Sequence, residues 1–392
     1  MRYYIIAGEA SGDLHGSNLI KGLKTEDPEA EFRFWGGDLM YAASASGTSS
    51  GERPVSLVRH YKAGAVMGVS DVLAKAGKLL GNLSFCKRDI LNWKPDVVIL
   101  IDYPGFNFKI AEFAHKAGFR VFYYIAPKTW ASREGRNRKL RKYVDKLFIV
   151  FPFEEPYFDK RGIGYIYKGN PLVDAIDQSP ALNEPRSAFF ERTGLPDKKY
   201  IALLAGSRGG EIKKMMPVLM GFADRLRKYD GFNDYEFIIG GAPARDVSDY
   251  PIGGRSYVHL VFGDTYAVLR NAEAAVINSG TASLEAALIG TPQVVGWASS
   301  ALTVFVAKKI LKVGEHIKFI SLGNLIINRG AFRELIQEDL NVTAVTDEIL
   351  RILKDDTYRD RMLADYADIR STLGGGGASV SVARAMIEEL TK

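Results

Sequence analysis

The chain has 392 residues, of which 47% are hydrophobic and 25% are charged, and its formal net charge at pH 7 is +6. This composition is typical of a globular protein and excludes an intrinsically disordered chain, while the length predicts two domains instead of one core. The mild positive charge favours an anionic partner, but it does not choose between nucleic acid, phospholipid and a phosphorylated substrate.

The cysteine content and the N-terminal segment indicate a compartment. Cys86 is the only cysteine, so the sequence excludes a disulfide framework and a cysteine-based metal cluster and fits a reducing compartment. The first apolar run, residues 3–7, is too short for the core of a signal peptide, and no apolar stretch reaches membrane-spanning length. We therefore predict a cytoplasmic protein whose contact with a membrane is peripheral.

Short apolar runs alternate with helical patterns through the first half of the chain. The predicted strands are residues 3–7, 32–35, 97–101, 121–125 and 146–150. The predicted helices are residues 14–23, 70–93, 108–117 and 134–143, and residues 43–53 are predicted to form a loop. Continuous apolar strands separated by helices predict a parallel sheet that is covered on both faces.

The same logic repeats after a restart near residues 167–174. The strands predicted there are residues 200–205, 236–239, 257–261, 275–277 and 293–297. Residues 178–186 are predicted to form a linker, and a glycine break at 374–377 precedes a closing helix, 379–390, expected to return to the first domain. The predicted domains are 1–168 and 169–350, with 351–392 returning toward the first. The predicted fold class is α/β with two Rossmann-like doubly wound domains, which would place ligand sites at the carboxyl ends of both sheets, facing one cleft.

The turn after the first strand contains Glu9, Ser11 and Asp13 between two glycines. Glycines permit a tight turn and a close backbone approach, and the helix that follows offers free N–H donors. The spacing departs from the dinucleotide-binding fingerprint. A simple strand-to-helix turn, with Asp13 as a favourable charge in the first helical turn, explains the pattern equally well.

Residues 206–211 follow a second-half strand in the same way. Gly206 and Ser207 lie in a loop whose backbone N–H groups could face a phosphate, and Arg208 could grip a diphosphate in a bidentate manner. The alternative is a glycine-rich loop with a solvated arginine, which the next motif makes less attractive.

That next motif, residues 278–285, again joins a strand to a helix. Ser279, Gly280 and Thr281 lie at the helix start, where the two hydroxyls are predicted to cap the helix and a phosphate could bind. Glu285 lies about one turn further along and could accept hydrogen bonds from ribose hydroxyls. Two such loops in one half favour a nucleotide diphosphate there.

A candidate general base follows the strand at 97–101. Asp102 is predicted to lie at the carboxyl end of that strand, where it could take a proton from a sugar hydroxyl, although a turn-stabilising aspartate also explains it. His15 on the first helix is a rival base, although a lone histidine is more often a surface or supporting residue. No spacing of His and carboxylate residues indicates a metal site.

Two further segments bear on partners. Residues 133–142 are strongly basic, and residues 302–311 are apolar with an embedded lysine pair. Together they suit an anionic lipid surface, and a solvated helix face plus a buried helix is the alternative. Aromatic residues are not interleaved with the basic run, so nucleic acid is not a predicted partner.

The motifs occur in a fixed order over nearly the whole chain. They read GEASGDLHG at 8–16, AVMGVSDVL at 65–73, KPDVVILIDYPGFN at 94–107, YYIAPKTWAS at 123–132, FPFE at 151–154, GNPLVDA at 169–175, LLAGSRGGEI at 203–212, SGTASLE at 279–285 and SLGNLI at 321–326. In this order they resemble the lipid-A-disaccharide synthase family. One departure is Gly105, where the family often has a second acidic residue.

The resemblance implies a GT-B-type inverting glycosyltransferase that needs no metal or other cofactor. It would join UDP-2,3-diacylglucosamine to 2,3-diacylglucosamine 1-phosphate, forming a β-1,6-linked disaccharide 1-phosphate and releasing UDP at the inner face of the cytoplasmic membrane. The resemblance leaves open whether the protein forms a homodimer. The alternatives are a UDP-sugar epimerase of similar architecture and a non-catalytic peripheral module that binds lipid or nucleotide.

The resemblance also implies roles for individual residues. Asp102 matches the catalytic aspartate, and Arg208 and Glu285 match positions of the nucleotide site. The residues implied near the acceptor or the active site are Glu9, Ser11, Asp13 and Asn324. The residues implied to meet acyl chains or the membrane are Val66, Met67, Leu302, Phe305 and Val306.

Overall fold

The computed structural model describes residues 1–46, 57–64, 72–130, 133–298 and 318–392. The chain forms two compact units: Met1–Ala175 together with Gly375–Lys392, and Ile176–Gly374. The boundary therefore lies slightly after the 168/169 position expected from the sequence. Residues 351–374, which the sequence assigned to the returning segment, are part of the second unit.

The first unit is built on a parallel sheet of seven strands in the order β3-β2-β1-β4-β5-β6-β7. The strands are β1 (Arg2–Ala7), β2 (Glu31–Gly36), β3 (Leu57–His60), β4 (Val97–Ile101), β5 (Arg120–Tyr124), β6 (Lys146–Ile149) and β7 (Ile166–Tyr167). The central strand β4 is buried along its whole length, because helices cover both faces of such a sheet.

Helices connect these strands and cover the sheet. They are α1 (Ala10–Glu26), α2 (Asp38–Ala45), α3 (Val72–Trp93), α4 (Pro104–Lys116), α5 (Asn137–Tyr143), α6 (Glu155–Asp159), α7 (Pro171–Asp177) and the closing helix α15 (Ala378–Thr391). The last turn of α2 includes residues 43–45, which the sequence assigned to a loop.

The closing helix α15 packs against α1 in the first unit. Asp174 accepts hydrogen bonds from the backbone N–H groups of Gly377, Ala378 and Ser379, which are the orphan donors at the start of α15. Gly22 allows the close approach of α1, because a Cβ there would lie 2.7 Å from the Ser379 carbonyl oxygen. A carboxylate far away in sequence therefore anchors the closing helix.

The second unit has a parallel sheet of six strands in the order β10-β9-β8-β11-β12-β13. The strands are β8 (Tyr200–Leu204), β9 (Glu236–Gly241), β10 (Val258–Phe262), β11 (Ala274–Asn278), β12 (Gln293–Trp297) and β13 (Glu334–Ile336). The helices are α8 (Arg186–Thr193), α9 (Gly209–Leu226), α10 (Thr265–Arg270), α11 (Thr281–Ile289), α12 (Leu322–Ile327), α13 (Val342–Lys354) and α14 (Asp356–Leu373).

The predicted α/β class with two doubly wound sheets is confirmed. Every strand predicted from the sequence is present, whereas β3, β7 and β13 were not predicted. The lipid-facing predictions at Val66, Met67, Leu302, Phe305 and Val306 all lie outside the described residues. Within the described ranges, no helix combines the length and apolarity needed to span a membrane.

Candidate functional site

The carboxyl edge of the first sheet, where its parallel strands end, carries unusual backbone conformations. The strand order reverses between β1 and β4, which is where open α/β sheets bind ligands. Asp102 and Tyr103 after β4 have φ of 42° and 46°, and Ile125 after β5 has φ of 62°. Residues other than glycine seldom adopt this left-handed region, and a β-branched residue there is an outlier. Such strain costs about 1–3 kcal/mol per residue and clusters at functional sites.

Hydrogen bonds with three neighbouring residues hold the backbone of Asp102. Its N–H donates to the Tyr124 carbonyl oxygen at 3.2 Å. Its own carbonyl oxygen accepts from the Tyr123 hydroxyl at 2.6 Å and from Asn107 Nδ2 at 2.8 Å. These bonds hold the backbone of Asp102, whose half-buried side chain starts at the carboxyl edge of the sheet.

The glycine turn after β1 lies directly beside this segment. A Cβ on Gly8 would be 2.3 Å from the Tyr103 ring, so only glycine permits the ring to cover the turn. Glu9 precedes α1 as its N-cap, and Glu9 and Ser11 are both exposed. These two residues are therefore accessible at the edge that carries Asp102.

Asp13 has a structural task within the first unit. Its Oδ1 accepts from the N–H groups of Gly37 at 2.7 Å and Met40 at 3.1 Å, and its Oδ2 accepts from Leu39 at 3.1 Å. These donors belong to the start of α2, so Asp13 caps that helix from α1. The side chain is 3% exposed. Both oxygens are occupied within the protein, and this geometry does not support the predicted contact with the acceptor.

His15 is buried on α1, and its Nδ1 forms no hydrogen bond within the described chain. Burial lowers the pKa of His15 to about 4, because the charged imidazolium is poorly solvated there. The imidazole is therefore neutral at physiological pH.

In the second unit, the loop after β8 contains an internal carboxylate. Gly206 has φ of 108°, which glycine alone adopts easily. Glu211 Oε2 accepts from the N–H groups of Ser207 at 3.1 Å and Arg208 at 3.2 Å. Two of the donors that the sequence assigned to a phosphate are therefore engaged by Glu211.

Other donors of the same loop remain available. The N–H groups of Gly209 and Gly210, in the first turn of α9, form no hydrogen bond to another described residue. The Arg208 guanidinium is 65% exposed and pairs with Glu211 at 3.2 Å. Arg245 donates from Nε to the Ser207 carbonyl oxygen at 3.0 Å. An anion would thus meet the start of α9 and two arginines.

The loop after β11 differs from its prediction. Gly280 is the N-cap of α11, and neither Ser279 nor Thr281 forms a side-chain capping bond, so the predicted hydroxyl caps are wrong. Ser279 instead directs its hydroxyl toward the Ile320 carbonyl oxygen, at 3.5 Å. Thr281, half-buried, begins the helix. The first-turn amides of α11 are therefore not capped by these side chains.

Glu285 lies on α11 and accepts a hydrogen bond from the Tyr266 hydroxyl at 3.3 Å. Burial raises the pKa of Glu285 to about 7, and the bond from Tyr266 only partly offsets this effect. Its carboxyl group therefore titrates close to neutral pH.

Asn324 is buried and uses its whole amide within the second unit. Its Nδ2 donates to the Phe332 carbonyl oxygen and to Glu334 Oε1, at 3.0 and 2.9 Å. Its Oδ1 accepts from the N–H groups of Ala331 and Phe332. Asn324 therefore holds the turn before β13, and this geometry does not support direct contact with substrate.

Sequence reasoning missed two carboxylates of these edges. Glu211 follows Arg208 by three residues, the spacing of a capping box, and this signal could have found it. Glu154 accepts from the Trp130 indole N–H at 3.2 Å and from the N–H groups of Val150 and Phe151. Burial raises the pKa of Glu154 to about 7. The FPFE motif at 151–154 contains Glu154, but nothing in the sequence indicates that its carboxyl group is buried.

Among the described ranges, no three His, Cys, Asp or Glu side chains are grouped so that they could hold a metal ion.

The sequence matches a family model described as lipid-A-disaccharide synthetase over residues 3–373. A lipid-A-disaccharide synthase of Geobacter metallireducens is 36% identical over 395 residues, covering 100% of this chain and 98% of the relative. One of Coxiella burnetii is 32% identical over 382 residues, covering 97% of this chain and 96% of the relative.

Two solved structures with a similar fold have low sequence identity to this chain. The UDP-GlcNAc 2-epimerase of Methanocaldococcus jannaschii, in complex with UDP-GlcNAc and UDP, has a TM-score of 0.67 at 14% identity and covers 99% of this chain and 100% of its own. The glycotransferase of kitacinnamycin has a TM-score of 0.56 at 13% identity, with 99% coverage of both chains. These likenesses show the fold alone.

Proposed function

Because the chain belongs to the lipid-A-disaccharide synthase family and is a glycosyltransferase, we propose that it joins UDP-2,3-diacylglucosamine to 2,3-diacylglucosamine 1-phosphate. The products would be the β-1,6-linked disaccharide 1-phosphate and UDP. Inversion requires in-line attack of the acceptor hydroxyl on the anomeric carbon, so the enzyme must supply a base for that hydroxyl and stabilise the departing diphosphate.

Asp102 is the proposed general base. The observation that carries this role is the left-handed backbone of Asp102 at the end of β4, held by Tyr123, Tyr124 and Asn107. Strain of this kind persists only where the surroundings over-determine it, and its clustering at functional sites supports a role for Asp102.

His15 is the weaker candidate for the base. Accepting a proton would turn Asp102 into a neutral acid, but it would turn His15 into a buried cation. The lowered pKa of His15, caused by burial, reflects the cost of that charge. We therefore assign His15 a supporting role in the packing of α1.

The nucleotide site is proposed at the carboxyl edge of the second sheet. Arg208 and the first-turn amides of Gly209 and Gly210 would bind the diphosphate, and their charge would stabilise the departing UDP in place of a metal. Ser279, Gly280 and Thr281 at the start of α11 would contribute further donors. Glu285 would accept hydrogen bonds from ribose hydroxyls. The epimerase of similar fold that holds UDP-GlcNAc and UDP supports a nucleotide in this fold class.

The acceptor is proposed to bind at the edge of the first sheet. Glu9 and Ser11 are exposed there and can receive its polar groups, whereas Asp13 fixes α2 beneath them. Asp13 thus acts on this site through the backbone that it holds.

Peripheral contact with the inner face of an anionic membrane is a further part of the proposal. Arg138, Lys139, Arg141 and Lys142 on α5 are exposed, and Leu80 on α3 is 62% exposed. Basic residues attract anionic lipid, and exposed apolar side chains insert at the interface. Sedimentation with vesicles of phosphatidylglycerol should remove more protein from solution than vesicles of phosphatidylcholine, and equal binding would refute the electrostatic contribution.

Mass spectrometry of products tests the function directly. The purified protein, given UDP-2,3-diacylglucosamine and 2,3-diacylglucosamine 1-phosphate, should form the acylated disaccharide 1-phosphate and one UDP per disaccharide. A change in the sugar of the donor alone would instead indicate an epimerase. Tight UDP binding without any product would indicate a non-catalytic module.

A further inference from the structure

Asn278 occupies a central position in the second sheet. It is the last residue of β11, and Ile277 beside it pairs with Leu204 of β8, where the strand order reverses. The loops 206–211 and 279–285 leave the sheet from these two strands. The side chain of Asn278 is 5% exposed and therefore lies inside the edge that the two loops form.

The amide of Asn278 has no hydrogen-bond partner in the described part of the chain. Its Oδ1 is sealed from solvent without a partner. Its Nδ2 lies against Gly206, so close that a Cβ on that glycine would be 2.8 Å from it. Glu211 Oε2 flanks Gly206 as well, at 2.7 Å from the same Cβ position, and is engaged by backbone amides.

The fold alone does not explain an asparagine here. The preceding residues of β11 are apolar and buried, and an alanine or valine would end the strand without an unpaired polar group. A buried amide without partners destabilises the folded state, and each such group in a native protein requires an explanation. A ligand that accepts a hydrogen bond from Nδ2 would explain why the amide is kept, while Oδ1 stays unpaired within the described residues.

The surroundings indicate which ligand chemistry fits. Arg208 and the free amides of Gly209 and Gly210 lie on the loop that Asn278 touches through Gly206. With Arg245, which donates to the Ser207 carbonyl oxygen, they bring two positive charges against the single carboxylate of Glu211, so they favour an anion. Next to an anion, the Asn278 amide should present its Nδ2, which donates hydrogen bonds, and not its Oδ1, which accepts them.

We propose that the Asn278 side-chain amide is part of the diphosphate site and donates from Nδ2 to a phosphate oxygen of the nucleoside diphosphate. The proposal rests on the proposed nucleotide site of the second unit. According to this proposal, Asn278 serves ligand binding and lowers the stability of the unliganded protein.

Calorimetric titration with UDP and thermal melting of the unliganded protein test it together. Asn278→Ala should melt at or above the temperature of the wild type, because it removes the buried and unpaired Oδ1, and should weaken UDP binding by about tenfold. Asn278→Asp should weaken binding more than alanine does, because a carboxylate repels the diphosphate.

Asn170 in the first unit provides the matched control. It is 2% exposed, but its Nδ2 donates to the Val150 carbonyl oxygen and its Oδ1 accepts from the Leu172 N–H, both at 2.9 Å. Asn170→Ala should therefore lower the melting temperature and leave UDP affinity unchanged.

The outcomes separate the two proposals. If the wild type does not bind UDP, the nucleotide site itself fails. If the wild type binds and Arg208→Ala weakens binding while Asn278→Ala does not, only the role of Asn278 is overturned. A melting temperature that Asn278→Ala lowers as much as Asn170→Ala does would also overturn it, because the amide would then be structural.

Discussion

The two units share one strand order around their central strands but equip the ends of those strands differently. In the first unit, Asp102, Tyr103 and Ile125 adopt left-handed backbone conformations at the ends of β4 and β5. In the second unit, the left-handed residue after β8, which is the counterpart of β1, is Gly206, and glycine adopts this conformation without strain. The first edge therefore combines left-handed residues after two inner strands with one carboxylate, whereas the loop after β8 presents backbone amides and arginine side chains. The second edge also has a left-handed non-glycine residue, Gln337, which follows its edge strand β13.

The difference also concerns the carboxylates near each glycine turn. Asp13, next to the first turn, accepts hydrogen bonds from the start of α2. Glu211, next to the second turn, accepts hydrogen bonds from the amides of that turn itself. A fold of this type thus permits proton transfer at one edge and phosphate binding at the other, because the loops and not the strand order decide the chemistry.

The largest effect expected from this comparison is that of Asp102→Asn. Turnover should fall by roughly 100- to 10,000-fold, the span for loss of a general base. Asparagine is one of the few residues that tolerate a left-handed backbone, so the fold should persist. Steady-state rates and UDP affinity are the measurements, and UDP affinity should hardly change.

His15→Ala is the control for that substitution and should be the milder of the two. Near-normal turnover in Asp102→Asn together with loss of turnover in His15→Ala would reverse the two roles. Activity in both variants would show that neither residue is the general base.

Arg208→Ala addresses the second edge. The loss of one charged donor to the departing diphosphate should reduce transition-state stabilisation by about 2–4 kcal/mol, as for an oxyanion donor. The ratio kcat/KM reports this change. Arg208→Lys should retain only part of the wild-type kcat/KM, because the point charge of lysine does not replace a bidentate guanidinium. An Arg208→Ala enzyme with unchanged kcat/KM would place the diphosphate elsewhere.

Glu285 gives the second unit a pH dependence of stability. Its pKa in the folded protein, raised to about 7 by burial, lies above the ordinary value of 4.5. The folded state therefore holds the proton more tightly, and the stability from this group is complete below pH 4.5 and lost as the pH rises through 7. Melting temperatures of the wild type should fall relative to those of Glu285→Gln between pH 5 and pH 8. Parallel curves would contradict the raised pKa.

The same titration should appear in nucleotide binding. Affinity for UDP-N-acetylglucosamine, whose diphosphate diester does not titrate near neutrality, should rise by up to about tenfold from pH 6 to pH 8 as the Glu285 carboxylate forms. Calorimetry at the two pH values measures it, with Glu285→Gln as the flat control. An affinity that falls over this range would show that the ribose does not bind the carboxylate.

The smallest expected effect is that of a chelator. Turnover should survive EDTA, because Arg208 and the first-turn amides of α9 can stabilise the departing UDP. Rates before and after dialysis against EDTA measure it. Loss of turnover that a divalent ion restores would refute this part of the mechanism.

The sequence predicted the inner strands well, because continuous apolar runs such as residues 97–101 are typical of buried parallel strands. It missed β3, β7 and β13, which lie at sheet edges. These strands have four, two and three residues and are not fully buried, so no periodicity marks them. Residues 65–71 and 299–317, which contain the lipid-facing predictions, lie outside the described residues.

Side-chain roles were harder to predict than positions. The placement of Asp102 at the end of a strand followed from the pattern, but its left-handed backbone did not. Asp13 and Asn324 were expected near substrate. Asp13 accepts from the Gly37 N–H, 24 residues away in sequence, and Asn324 donates to the Phe332 carbonyl oxygen, 8 residues away, and to Glu334 Oε1. Hydrogen bonds between segments decide such roles, and a single sequence does not display them.

Hydrogen–deuterium exchange with and without UDP tests the division between the two edges most directly. Exchange should slow in segments 206–211 and 279–285, where the diphosphate and ribose are proposed to bind, while segments 8–16 and 102–107 keep their rates. Protection confined to segments 8–16 and 102–107, with the second-unit loops unchanged, would contradict the account.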